Sequence, residues 1–460
     1  METPSGPTCD APTAVAGDLT AATTTCDGGP IAVGGDLFVT ATVELGCVCA
    51  VGGSVVVSGG IASLPALATV GGDLAATPGA EGIDAPVLAT VGRSIRVDGV
   101  ASLATLGVQA VTAVGGDVRS VGALALGALP TERLVTVGGA YVVDAAPALA
   151  EVDLSRLATV AGDLRVENSG VEVILGQGYA LGSVGGDLVL ANLDQWRGFY
   201  GFAYLASVGG ELRIDDNAVL DRVRGFTLLE TVGGTLSVSR NAQLELLDGF
   251  DTLSVVHGDL AVSDNPALFG ENAFAALDQV DGVVEVARDP ALAQLQGLQR
   301  PRFVGGLTIE RNDAMTAILG FQRLETVGGD LRLSGLSSVG AIDGFGALGA
   351  IDGDLVLDDL PELSLFAAGA PGLDAIGGGL TVRAVGLTAL TSFPPIRSIG
   401  EDLVIDANPV LADVTRLQSL EAVGGDVVIT DNPSLSTVDA AGLAGAIDAI
   451  GGSITVSGNQ

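Results

Sequence analysis

The sequence predicts an all-β chain, a single parallel β-solenoid of about twenty coils. Three observations carry that expectation. The phrase V-G-G-D-L and its relatives recur twenty times, beginning at Val15 and ending at Ile450. Apolar residues alternate just after each phrase, and an asparagine follows the alternation at a fixed offset. The first intervals are 18, 18, 19 and 21 residues, and most later ones are 23 to 25. A fixed period with no interruption marks a repeat architecture in which each unit buries its apolar face only against its neighbours.

With the anchor valine as position 0, the glycines at positions 1 and 2 form a turn where a Cβ is penalised. Positions 4 and 6 are apolar, as in Leu212 and Ile214 or Leu403 and Ile405, which describes a short strand with one buried face. Position 9 carries Asn217, Asn241, Asn265, Asn312, Asn408, Asn432 and Asn459, with Asp289 in the same column. Proline after several of these fixes a turn leaving the strand. Leucine recurs at position 12, phenylalanine at 18 and leucine at 21, and no helical stripe intervenes. Stacking turns each position into a ladder at roughly 4.8 Å spacing, so twenty coils predict a rod on the order of 90 Å long. In this reading residues 1–113 form short coils with a cysteine-stapled cap, and residues 114–460 form longer coils continuous with them.

The coil from Val208 to Val232, VGGELRIDDNAVLDRVRGFTLLETV, resembles a repeat of the receptor L-domain family, a relative of the leucine-rich repeats. The shared pattern is I-x-G-x-L-x-I-x-x-N-x-x-L followed by G-[FL]-x-x-L-x-x-I. The resemblance is clear from about Val160 onward and fades before it. It implies a right-handed solenoid at a cell surface that binds a partner without chemistry. Family members have a handful of coils, and this chain has far more.

Composition narrows the function. The net charge is −35, and all 20 basic residues are arginines. Without lysine there is no phosphate loop of the G-x-x-x-x-G-K-[ST] kind and no Schiff-base chemistry. The single histidine, His257, rules out a histidine-rich metal site. Such an acidic chain is repelled by nucleic acid and by anionic membranes, so neither is an expected partner. No signal peptide opens the sequence and no apolar run is long enough to span a membrane. The absence of lysine beside abundant alanine, glycine and arginine suggests a high-GC bacterium.

Cys9, Cys26, Cys47 and Cys49 all lie in the first 49 residues. An even number at one end points to disulfides and an oxidising compartment, with three pairings open. A thiolate metal site using Cys47 and Cys49 is the competing reading. The location expected is extracellular, at a cell surface or in an envelope. The last coil stops halfway round, so a continuation toward an anchor is expected.

Position 3 is acidic in twelve coils, among them Asp18, Asp163, Asp330 and Asp426. A row of carboxylates suggests calcium. Arginines at position 5, as in Asp117 with Arg119 or Asp163 with Arg165, supply counter-charges that a dedicated cation row would lack. No cofactor is therefore expected, with calcium on this row as the alternative. Trp196, Phe199, Tyr200, Phe202 and Tyr204 crowd into nine residues. Trp196, Phe199 and Phe202 fall on core positions, while Tyr200 and Tyr204 point outward beside Arg197. Trp196, Arg197, Tyr200 and Tyr204 are the candidate binding patch, since exposed tyrosine and arginine anchor partners. The leading function is a non-enzymatic recognition, adhesion or envelope module whose partner is a protein or glycan. The alternative is a β-helical polysaccharide lyase or hydrolase acting on an acidic glycan, with Arg213 among Glu211, Asp215 and Asp216 as its nearest constellation.

Overall fold

A computed structural model describes residues 9–23, 26, 28–175, 181–198, 202–368 and 372–460. The chain is a parallel β-solenoid, almost free of helix, and its turns number about 16. That is somewhat fewer than the twenty coils expected from the anchors. The chain divides into two compact units, residues 1–220 with 224–229 and residues 221–223 with 230–460. The change of coil length near residue 113 falls inside the first unit.

In most coils two strands join the main sheet, one ending at the anchor and one after the turn, while Gln279–Ala287 and Phe303–Glu310 run through as single strands. In the first unit Thr159–Val160 and Leu164–Glu167 are such a pair. Leu164–Glu167 pairs in parallel with Leu188–Ala191, with Leu164 opposite Leu188 and Val166 opposite Leu190. In the second unit Leu236–Ser239 pairs in the same way with Leu260–Ser263. Like pairs with like because each coil repeats the same alternation, and a one-residue slip would turn every buried side chain outward. Positions 4 and 6 are accordingly buried, with Leu164, Val166, Leu260 and Val262 at 2% exposure or less. A second, smaller sheet forms on another side of the coils. In the second unit it has seven strands, from Arg222–Val223 to Leu365–Ala368.

Both turn glycines are explained by the coil below. A Cβ on Gly52, at position 1, would sit 2.8 Å from the carbonyl oxygen of Gly34. A Cβ on Gly186, at position 2, would collide with Oδ1 of Asp163. Where the preceding coil has no side chain at position 3, the restriction lifts: Glu401 stands in the glycine column above Gly379. Arg93 stands in that column above Asp73, with its guanidinium 3.8 Å from that carboxylate.

The phenylalanine column forms stacked pairs inside each unit. Phe202 and Phe226 lie 5.7 Å apart and nearly parallel, and Phe250 and Phe274 lie 5.6 Å apart. The asparagine column is fully buried from Asn217 to Asn432, and Asn459 in the last coil is half-buried. Asn265 Oδ1 accepts the amide of Asn241 at 3.0 Å, and its Nδ2 donates to the carbonyl of Val238 at 3.0 Å. Asn408 and Asn432 repeat the arrangement with the carbonyls of Val382 and Ile405. Each side chain thereby satisfies a donor and an acceptor that burial would otherwise leave unpaired.

Three details depart from the sequence reading. The fourteenth anchor is Val304 and not Phe303. Val304 is buried and pairs with Val280 and Val327, whereas Phe303 is 41% exposed. One turn residue is missing from that coil, which hides the offset when counting on to Asn312. Position 8 is left-handed in many coils, including Asp216, Arg240, Arg288 and Ala407, with φ between 54° and 60°. That residue turns the chain out of the strand ahead of the buried asparagine. Finally, the coil after Val423 contains an α-helix, Thr437–Ala446, capped by Ser436, whose side chain accepts the amide of Val438.

The cysteines form two disulfides, Cys9–Cys49 and Cys26–Cys47. Val48 pairs with Ile31 and Ala50 with Ala32, so Cys49 is the extra residue of a β-bulge. A bulge re-aims its side chain, here toward Cys9. All four thiols are consumed, which removes the thiolate metal reading.

Candidate functional site

The acidic row is a structural ladder. In eleven of its twelve members Oδ1 accepts the amide of position 3 in the next coil, as in Asp163 to Asp187 at 2.9 Å and Asp426 to Ser453 at 2.6 Å. Ser54 and Ser94 occupy the column with a hydroxyl in the same role, accepting the amides of Asp73 and Asp117. The Ser453 amide and then its hydroxyl hold Asp426 below the usual carboxylate range. Among the described residues no group of three His, Cys, Asp or Glu side chains is placed to hold a metal ion.

The arginines pair only in part as the spacing in sequence suggests: Arg213 meets Glu211, and others reach further. Arg119 reaches Asp98 at 3.5 Å, in the coil before its own, and not Asp117. Arg165 bonds Glu167 at 2.8 Å and stands 3.7 Å from Asp187. Arg213 lies between Glu167 at 3.3 Å, Glu211 at 3.9 Å and Asp215 at 3.9 Å. Arg288 holds Asp264, Glu285 and Glu310 at 2.9 to 3.1 Å. The hydrogen bond to Asp264 and the charges around it reinforce the charged form of Arg288. His257 is exposed and its Nδ1 is 2.8 Å from Asp281, while Ser254 donates to the carbonyl of Glu230.

The aromatic patch separates into inside and outside. Trp196 is fully buried, which removes it from any contact surface, while Arg197 and Tyr204 are exposed. Tyr200 and Phe199 lie outside the described residues.

A groove in the second unit escaped the sequence reading. On the second sheet Leu246 and Gly270 are register partners, and Gln294 begins the next strand, so Gly270 leaves a notch between two long side chains. The groove measures about 400 Å³. Phe269 stands at its rim, 53% exposed, with Asp248, Asn272, Gln294 and Gln296 around it. Its floor carries Glu271, a buried acid in a column otherwise formed by Val223, Leu247, Leu295 and Ile318. Burial pushes the Glu271 carboxyl up, against the backbone amides of Gly297 and Ala273 that it accepts at 3.1 and 2.9 Å. Gly297 is a glycine because a Cβ there would collide with that carboxyl. The only sequence signal was a glutamate where the column expects an aliphatic residue.

No family model, curated protein or solved structure matches the chain.

Proposed function

We propose that the chain is a non-enzymatic recognition module of the cell surface or envelope, as the receptor L-domain resemblance implies. The observation that carries the reading is the division of labour between columns. Positions 3, 4, 6, 9 and 18 are consumed by amide ladders and core packing in the longer coils, which fixes their backbone. The outward positions then vary from coil to coil on that fixed frame, with arginine–carboxylate clusters on one side and the groove at Gly270 on another. A rigid scaffold with varied side chains suits binding, because little conformational entropy is lost when a partner docks. Two disulfides at one end fit an oxidising, extracellular environment.

Incubation of the labelled protein with bacterial envelope fractions tests this, with polygalacturonate and alginate assayed in parallel. Saturable retention without release of sugar fragments is the expected result. Fragment release that disappears in Arg213→Ala would replace the reading with a lyase.

A further inference from the structure

We propose that the groove over Gly270 is a saccharide-binding site that takes a neutral glycan. The proposal rests on the recognition reading and names its ligand class. Three features point to a sugar. An aromatic ring stands exposed at the rim, where the C–H face of a pyranose packs against it. Behind it are carboxamides and a carboxylate, the groups that pair with vicinal hydroxyls. Gln296 donates to Gln294, which places two of those carboxamides side by side on the lining. The third feature is shape: about 400 Å³ falls in the range of small-ligand sites, roughly 300 to 1,000 Å³.

Charge decides which sugars enter. The Asp248 carboxylate lies on the lining, and the chain carries −35 overall. Uronates and sulfated sugars are repelled, and neutral pyranosides are not. The floor is no ligand: the Glu271 oxygens are taken by the amides of Ala273 and Gly297, which makes the base of the groove rigid.

The notch exists because residue 270 has no side chain, and this supplies a clean variant. A Cβ at Gly270 would meet only the mobile tip of Leu246, at 2.8 Å, and its backbone is not left-handed. Leucine already occupies this column at Leu246 and Leu365. Gly270→Leu should therefore fold normally and fill the groove.

The test is a printed array of neutral hexopyranosyl oligosaccharides, with polygalacturonate and sulfated glycans as the anionic arm. Wild type is expected to retain neutral glycans and not anionic ones. Phe269→Ala should weaken retention about tenfold, and Gly270→Leu should abolish it with an unchanged melting temperature. Retention of neutral glycans by Gly270→Leu at wild-type strength, preference for the anionic arm, or no retention by wild type would each overturn the assignment. Envelope binding measured on the same variants separates the two claims. If envelopes are bound and Gly270→Leu changes nothing, the recognition reading stands and the groove assignment falls; if envelopes are not bound at all, the reading falls with it.

Discussion

Replacing Asp289 with asparagine should stabilise the second unit, and more so as pH rises. Asp289 occupies the buried asparagine column and is 0% exposed. Its Oδ1 accepts the Asn265 amide at 2.7 Å, and its own amide donates to Asn312 at 2.9 Å, as an asparagine would arrange. Its Oδ2 has no partner. In the neighbouring coils the corresponding atom is an Nδ2 donating to Val238 or Val286, so here the facing carbonyl is that of Val262, their register partner. Burial pushes the Asp289 carboxyl up to about 7, with Asp264 adding to the shift and the Asn265 amide and Arg288 opposing it. The unfolded carboxyl titrates near 4. Between these values the folded state holds the proton and the unfolded state does not, so stability falls as pH rises through the window. At about 1.36 kcal/mol per unit, wild type should lose roughly 2 to 3 kcal/mol between pH 5 and pH 8 from this group. The carboxamide introduced by Asp289→Asn would not titrate, and its Nδ2 would add a bond worth about 1 kcal/mol. Because a solenoid opens locally, the assay is amide exchange in Leu260–Ser263 and Gln279–Ala287, variant against wild type at each pH. Exchange in Asp289→Asn should be slower at both pH values, with the ratio growing about a hundredfold from pH 5 to pH 8. A ratio independent of pH, or faster exchange in the variant at pH 8, would refute the reasoning.

Other outcomes follow from the same ladders. Gly186→Ala should destabilise the first unit by roughly 1 to 3 kcal/mol in urea unfolding, because its Cβ displaces the Asp163 carboxylate from the Asp187 amide. Adding Asp163→Ala should then cost less than the two single changes summed; strict additivity would refute the shared contact. Reducing both disulfides should loosen the first coils, since closing loops of 21 and 40 residues contributes about 3 to 4 kcal/mol each. Proteolysis confined to the short coils nearest the disulfides after reduction is the expected readout. Ala407→Gly should raise stability by roughly 0.5 to 1 kcal/mol, as glycine relieves a φ of 54° that alanine holds under strain. A lower melting temperature in that variant would contradict it.

The fold was legible because its signals are local and repeated twenty times. Alternation at positions 4 and 6 says which side of a strand is buried, and periodic asparagine and phenylalanine say where the coil turns. What stayed hidden depends on the neighbouring coil and not on the coil itself. Arg119 meets Asp98 one coil away, which no spacing within a coil reveals. The one-residue deletion near Val304 is masked because Phe303 is apolar enough to serve as an anchor on paper. The left-handed position 8 carries arginine, alanine and aspartate alike, since its conformation is imposed by the ladder on either side. The site was the least legible part. Trp196 is core, as its position in the coil indicated, and so drops out of the binding patch, whereas the groove is made by the absence of a side chain at Gly270. A missing Cβ among 68 glycines carries no signal until the register is known.

The central claim is recognition of a neutral glycan at the Gly270 groove without chemistry, and a co-sedimentation isotherm with insoluble neutral cell-wall polysaccharide tests it most directly, with soluble sugar assayed in the same tubes. Saturable binding by wild type, loss of binding in Gly270→Leu and no soluble product in either are the predicted results. Accumulating product, or wild type left entirely in the supernatant at every polysaccharide concentration, would contradict the claim.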